Sequence, residues 1–274
     1  MAHAFTPASI VVGIDGSRAA IDAALWAVDE ATGRGLPLRL LGAAEPGADP
    51  AAAHAAVHAA AAAVQSSGRT DLPAVQTEVA TAGPVLALLE ASRHAAMICV
   101  GPIGLRHVDH DRLGSTVDAL IAAAHCPVAL VRGGRRPQTG WVVAQLDQTP
   151  DSAAVLQFAV EEARMRRAPL RVLGTWQADE HDPDSAAEPE RMVRAQLDRR
   201  LEHWRTRYPD LDVAPVAVPG SGLSYLEANA AAIGLVVVGA RNTAGVAELL
   251  SGAGRAALQN TDTSVLVVDP QRLL

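Results

Sequence analysis

The chain of 274 residues contains no lysine, and all 23 of its basic residues are arginine. That excludes a Walker-type phosphate lysine, a Schiff base and a catalytic lysine. A phosphate site in this chain would have to rest mainly on backbone amides. Cysteine is almost as scarce. Cys99 and Cys126 alone cannot build a disulfide scaffold or a cysteine-rich zinc module. Positive charge is also short, with a formal balance of −7, which argues against sequence-independent nucleic-acid binding. No apolar run reaches the length of a membrane span, because the alanine-rich stretch 51–63 is broken by His54 and His58. Met1–Ser9 lacks a basic region followed by an apolar core, so it does not read as a secretory signal. A cytoplasmic chain with neither nucleic-acid nor membrane partners is the expectation.

What is present in quantity is alanine, about a fifth of the chain, within a hydrophobic content of 49%. That content can fill one large or two ordinary domains. An internal repeat decides for two. Ile10–Asp15 reads against Trp141–Asp147, with Asp15 and Asp147 separated by 132 positions. The same offset aligns Leu36–Gly42 with Ala168–Gly174. After an insertion, an offset of 138 pairs Met97–Gly101 with Leu235–Gly239, and Cys126–Val131 with Ser264–Val268. The expected domains are 1–134 and 135–274, joined through the glycine- and arginine-rich segment 133–140.

Each copy alternates short apolar runs with helical patterns. In the first, strands are expected near 9–14, 37–43, 73–80, 97–101 and 127–132. Helices are expected near 17–34, 50–66, 83–94 and 114–124. The strand runs lack strict alternation, as for strands covered on both faces. The second copy repeats the order, with strands near 141–146, 169–175, 212–218, 234–239 and 264–268. Asp49-Pro50 fits a helix cap followed by proline in the first turn. This pattern predicts an α/β fold of two doubly wound parallel five-stranded sheets, Rossmann-like, in tandem. Ligands in such sheets sit beyond the carboxyl ends of the strands, where strand order reverses.

After the fourth strand the first copy reads Gly101-Pro-Ile-Gly104, nine residues, then Gly114-Ser115-Thr116 at a helix start. Glycines let a backbone approach phosphate closely, and a helix N-terminus offers unpaired N–H groups and a positive dipole end. Ser115 and Thr116 add hydroxyl donors. An ordinary strand–helix turn is the competing explanation.

These residues resemble the universal stress protein family, in its nucleotide-binding form. The fingerprint G-2x-G-9x-G-(S/T) is met by Gly101, Gly104, Gly114 and Ser115. Val11–Ser17 and His125-Cys126-Pro127-Val128 extend the likeness, which covers the chain as two copies. The resemblance implies that Asp15 contacts the adenosine part of ATP. It implies that Ala43 offers backbone groups to adenine, and that Gly13 lines the same floor. Gly101, Gly104, Gly114, Ser115 and Thr116 would hold the phosphates. Helix capping by Asp15 is the structural alternative. The family implies an ATP-binding regulator of the stress response rather than a catalyst, with its terminal strands pairing domains into a pseudo-dimer. A homodimer and a regulatory protein partner are further implications. A slow Mg2+-dependent ATPase and a nucleotide-free dimerising scaffold are the alternatives.

The loop 105–113 is acidic for a phosphate site. Asp109 and Asp111 must turn outward, pair with Arg106 or Arg112, or be bridged by Mg2+. The second copy departs further, with Asn242 at the second glycine, Ala253 at the hydroxyl position, and Ala144 where the first copy has Gly13. Its site is expected to be degenerate. Elsewhere, His107, Asp109, His110 and Asp111 lack a further ligand set for a metal. His54 and His58 read as an exposed helix face. Cys99 and Cys126 read as core thiols, and 188–200 as a solvated helix with i,i+4 ion pairs. No nucleophile–base arrangement accompanies Ser17 or Ser115, so no catalytic residue is assigned.

Overall fold

The apolar runs become parallel strands because each is hydrogen-bonded to neighbours reached through a helical crossover. The computed structural model describes residues 8–101, 115–133, 140–147, 149, 151–177, 187–242, 249 and 262–272. They divide into two compact units: Met1–Pro137 with Arg272–Leu274, and Gln138–Gln271. The first unit contains β1 (Ser9–Ile14), α1 (Arg18–Arg34), β2 (Leu38–Ala43), α2 (Ala51–Gln65), β3 (Val75–Ala80), α3 (Pro84–Ser92), β4 (Ala95–Val100), α4 (Ser115–Ala123) and β5 (Val128–Leu130). Its strands lie in the order β3-β2-β1-β4-β5. The second contains β6 (Trp141–Leu146), α5 (Ser152–Arg166), β7 (Leu170–Trp176), α6 (Ala187–Arg207), β8 (Val213–Pro219), α7 (Gly222–Asn229), β9 (Ile233–Gly239) and β10 (Ser264–Val268). Its order, β8-β7-β6-β9-β10, repeats the first. All ten strands fall on the runs expected from sequence.

The registers repeat as well. Ile10 stands opposite Leu38 and Val142 opposite Leu170, while Leu38 opposes Val75 and Leu170 opposes Val213. The central strands carry the core: Ile10, Val11, Val12, Met97, Ile98 and Leu235 are buried. β3 corrects the expectation that every strand is covered on both faces. Gln76, Thr77 and Glu78 are exposed, because β3 is an outer strand with β2 on one side only. The cap at Asp49 also shifts by one place. Its Oδ1 accepts the Ala51 N–H at 2.9 Å, and Pro50 stands before the helix, with Ala51 its first residue. The expected i,i+4 pairs of 188–200 are replaced among the described residues by Asp198–Arg205, two turns apart at 2.9 Å. The expected linker 133–140 lies largely outside the described residues.

Both units bury the same ion pair. Glu30 and Glu162 are fully buried, and reach Arg34 at 3.2 Å and Arg166 at 3.1 Å, one helical turn on. Arg166 is the better enclosed, 8% exposed against 20% for Arg34. Removing one partner of such a pair strands the other charge in a medium that solvates it poorly. Glu162→Ala is expected to destabilise the second unit by about 3–5 kcal/mol, and Glu30→Ala to cost the first unit less. Urea unfolding of both variants measures the difference, and equal midpoints would contradict it.

Candidate functional site

Strand order reverses between β1 and β4, which places the carboxyl ends of β1, β2 and β4 side by side in the first unit. Gly13 stands opposite Leu41 and Ile14 opposite Gly42. Asp15 is therefore the first residue past the end of β1, and Ala43 ends the neighbouring strand. Gly101 follows β4 directly, and Thr116 lies in the first turn of α4. The structure thus brings Gly13, Asp15, Ala43, Gly101 and Thr116 to one end of the sheet. Gly104 and Gly114 lie outside the described residues, as do the side chain of Ser115 and the cluster His107, Asp109, His110 and Asp111. Among the described residues no group of three His, Cys, Asp or Glu is arranged to hold a metal ion.

The turn after β1 is built from Asp15-Gly16-Ser17. Gly16 takes a φ of +86°, and the exposed Asp15 carboxylate accepts the Ser17 N–H at 2.9 Å. The cap of α1 is Ser17, whose Oγ accepts the Ala20 N–H at 3.1 Å. Asp15 is therefore not the cap of this helix. It shapes the preceding turn, and its carboxylate stays at the surface. Sequence reasoning passed over Gly16, although a glycine between an acid and a capping serine is a turn signal.

Gly101 is needed for packing whatever it binds. A Cβ there would fall 2.7 Å from the Ala19 Cβ and 3.0 Å from the Ala19 carbonyl carbon, in the first turn of α1. Gly13 is less tightly held, its virtual Cβ meeting Leu88 and Val100 side chains at 3.1 and 3.2 Å.

The second unit arranges the equivalent loops differently. Its register corrects the assignment of Ala144 to the Gly13 position: Gln145 opposes Leu173 as Gly13 opposes Leu41. The buried Gln145 side chain reaches the start of α7, where a Cβ on Gly222 would approach it to 3.0 Å. Asp147 accepts the Thr149 N–H at 2.9 Å, the Thr149 hydroxyl at 2.5 Å and the Ser152 hydroxyl at 2.6 Å. Arg241, in the loop after β9, pairs with Asp151 in the loop after β6 at 3.5 Å. Where Asp15 is exposed, Asp147 is held by its own loop.

Burial would raise the Asp147 carboxyl, but the hydrogen bonds from Ser152 and Thr149 outweigh it and hold the group below its ordinary value. A depressed carboxyl stabilises the fold above its unfolded value and loses that contribution as pH falls through the folded one. Ser152→Ala is expected to raise the Asp147 titration toward the ordinary carboxylate range, as carboxyl NMR would measure; an unmoved titration would contradict the assignment. The two thiols bear out their expectation. Cys99 and Cys126 are buried, and burial pushes the Cys126 thiol up to about 12 despite a backbone hydrogen bond from Ile98. Neither is expected to react with a thiol reagent at pH 8 until the protein is unfolded; stoichiometric reaction of the native protein would refute this. His54 and His58 lie on an exposed face of α2, as expected.

A doubly wound sheet with an acid past the first strand and a glycine closing the fourth defines a class of α/β domain with its ligand site at the strand ends. The Universal stress protein family model matches residues 8–132 and 141–269. "Universal stress protein Rv2028c" of Mycobacterium tuberculosis strain H37Rv is 41% identical over 285 aligned positions, covering 100% of both chains. "Universal stress protein Rv2624c" of the same strain is 36% identical, covering 96% of this chain and 97% of its own. Among solved structures, a universal stress protein from Archaeoglobus fulgidus matches with a TM-score of 0.62 at 13% identity, covering 95% of this chain and 96% of that one. The chain belongs to the universal stress protein family and carries two copies of its domain. Among the described residues no helix is long and apolar enough to cross a membrane.

Proposed function

We propose that the chain is an ATP-binding universal stress protein that acts through nucleotide occupancy of its first unit rather than through turnover. The observation that carries the reading is the gathering of Asp15, Ala43 and Gly101 at one switch point, followed in sequence by the full Gly101, Gly104, Gly114, Ser115 spacing. An exposed carboxylate past β1 suits hydrogen bonds from ribose or from the adenine amine. The backbone of Ala43 suits the adenine edge. The start of α4, with Thr116 in its first turn, suits a phosphate through unpaired N–H groups and the helix dipole. Nothing in that donor set needs a lysine.

The second unit supports a one-site reading. Asp147 is engaged by Thr149 and Ser152, Arg241 ties two of the loops together, and a glutamine replaces the floor glycine. Cytoplasmic location, a homodimer and a regulatory protein partner belong to the same proposal. So does Mg2+, which would bridge ATP to the acidic 105–113 loop.

Calorimetric titration with ATP is expected to give one site per chain. Asp15→Ala and Gly114→Ala should each weaken it by at least about tenfold, while Asp147→Ala leaves the affinity unchanged. No ATP uptake by the wild-type protein, or loss of binding in Asp147→Ala instead, would overturn the reading. A turnover assay with and without Mg2+ runs alongside. Phosphate release above blank would make the first unit an ATPase, which without lysine must neutralise charge through arginine or metal.

A further inference from the structure

At the amino ends of β7 and β8, opposite the strand ends discussed above, the second unit contains a cavity of about 410 Å3. The charged groups lining it are Arg164, Arg167, Arg207, Asp210 and Asp212, with Tyr208 among them. Asp212 is neutralised by Arg171, whose two terminal nitrogens reach its two oxygens at 3.2 and 3.1 Å. Among the described residues Arg164, Arg167 and Arg207 have no ion-pair partner. Three guanidinium groups therefore face one remaining carboxylate, Asp210, in a chain whose overall charge is −7.

The pocket is organised. The Arg164 guanidinium carbon lies 3.8 Å from the centroid of the Tyr208 ring, and that of Arg207 lies 5.4 Å away. Trp204 stacks on the same ring at 6.1 Å with an interplanar angle of 16°. Stacking fixes the plane of a guanidinium and leaves its N–H edge for a ligand, so less freedom is lost when an anion arrives.

The first copy provides an internal control for this corner of the fold. There the position of Arg164 is Thr32, whose hydroxyl donates to the Asp71 carbonyl at 3.0 Å. Counted back from the equivalent strand starts Val75 and Val213, Arg207 corresponds to Arg69, which lies past the end of its helix and pairs with Asp29 at 2.9 Å. The position of Arg167 is Gly35, which ends α1 in the left-handed conformation at φ +65°. Arg167 ends α5 in that same conformation at φ +51°, the one positive φ of a non-glycine among the described residues. Glycine adopts it without penalty and arginine does not. Where the first copy has a relaxed glycine and partnered side chains, the second copy thus has a strained arginine and cations without ion-pair partners.

We propose that this pocket is a binding site for a small anion carrying two or more phosphate charges. Arg164 and Arg207 would grip it with charge-assisted hydrogen bonds, and Arg167 would close the third side. The cavity lies within the size range of small-molecule sites. Its exposed arginines make the affinity fall as salt rises. This site is independent of the nucleotide reading of the first unit.

The probe is inorganic pyrophosphate, titrated calorimetrically into the full-length protein. Wild type is expected to bind it, and Gly114→Ala, which alters the first-unit loop, to bind it equally well. The R164Q/R167Q/R207Q variant should bind at least about tenfold more weakly while keeping its affinity for ATP. Arg167→Gly guards against a folding artefact. It relieves the strained φ, so it should melt at a higher temperature than wild type yet bind pyrophosphate more weakly. No binding by wild type at millimolar pyrophosphate, undiminished binding in the triple variant, or undiminished binding in a stabilised Arg167→Gly protein would each overturn the proposal.

Discussion

The hydrogen-bonded placement of β1 between β2 and β4 is the constraint on which the first unit depends. Because both pairings are parallel, the chain must return across the sheet between strands, and only a helical crossover of sufficient length can do so. Because the order reverses there, the connection after β1 leaves toward one face and that after β4 toward the other. The loops consequently part at the carboxyl ends of β1 and β4. Asp15 and Gly101 follow the same ends of neighbouring strands for that reason, although 86 positions separate them in sequence. β6 between β7 and β9 imposes the same geometry on the second unit.

Close helix–sheet approach is the second requirement, and it explains glycines that a ligand-centred reading would assign to binding. Gly42 and Gly174 are equivalent positions, and a Cβ on either would lie 2.8 Å from a valine of the covering helix, Val57 or Val193. Gly101 meets the backbone of α1 in the same way. The glycine after β4 is therefore kept by packing before any phosphate is considered. The spacing to Gly104, Gly114 and Ser115 is the part of the motif that speaks specifically of a ligand.

The strands were readable because the central ones are rich in Val, Ile and Leu, and because two copies of one unit cross-check each other. All ten strands lay within two residues of their expected starts. Less readable was anything set by a neighbour distant in sequence. The exposure of Gln76, Thr77 and Glu78 follows from β3 being outermost, which composition does not reveal. The Gly13 equivalent was misplaced by one residue. The 132-residue offset between Asp15 and Asp147 already places Gln145 at that position, and the pairing of Gln145 with Leu173 agrees. At the site, the identity of Asp15 was visible but its role was not. Whether an acid after a strand caps a helix or shapes a turn depends on which oxygen meets which N–H, and Ser17 takes the cap.

The two copies show what duplication leaves fixed and what it releases. The buried Glu–Arg pair persists at Glu30–Arg34 and Glu162–Arg166, because replacing either member alone strands a charge. Such a pair can be lost only by two changes together, so it outlasts the divergence around it. Loops at the strand ends carry no such coupling. In the second copy the acid is satisfied locally, by Thr149 and Ser152. The opposite end of the second sheet diverged in the other direction, toward a strained backbone and cations without carboxylate partners. Local satisfaction costs a protein nothing in stability, whereas strain and unpaired like charge do. The two differences therefore call for different explanations: the first is settled within its own loop, and the second calls for something that the arginines hold.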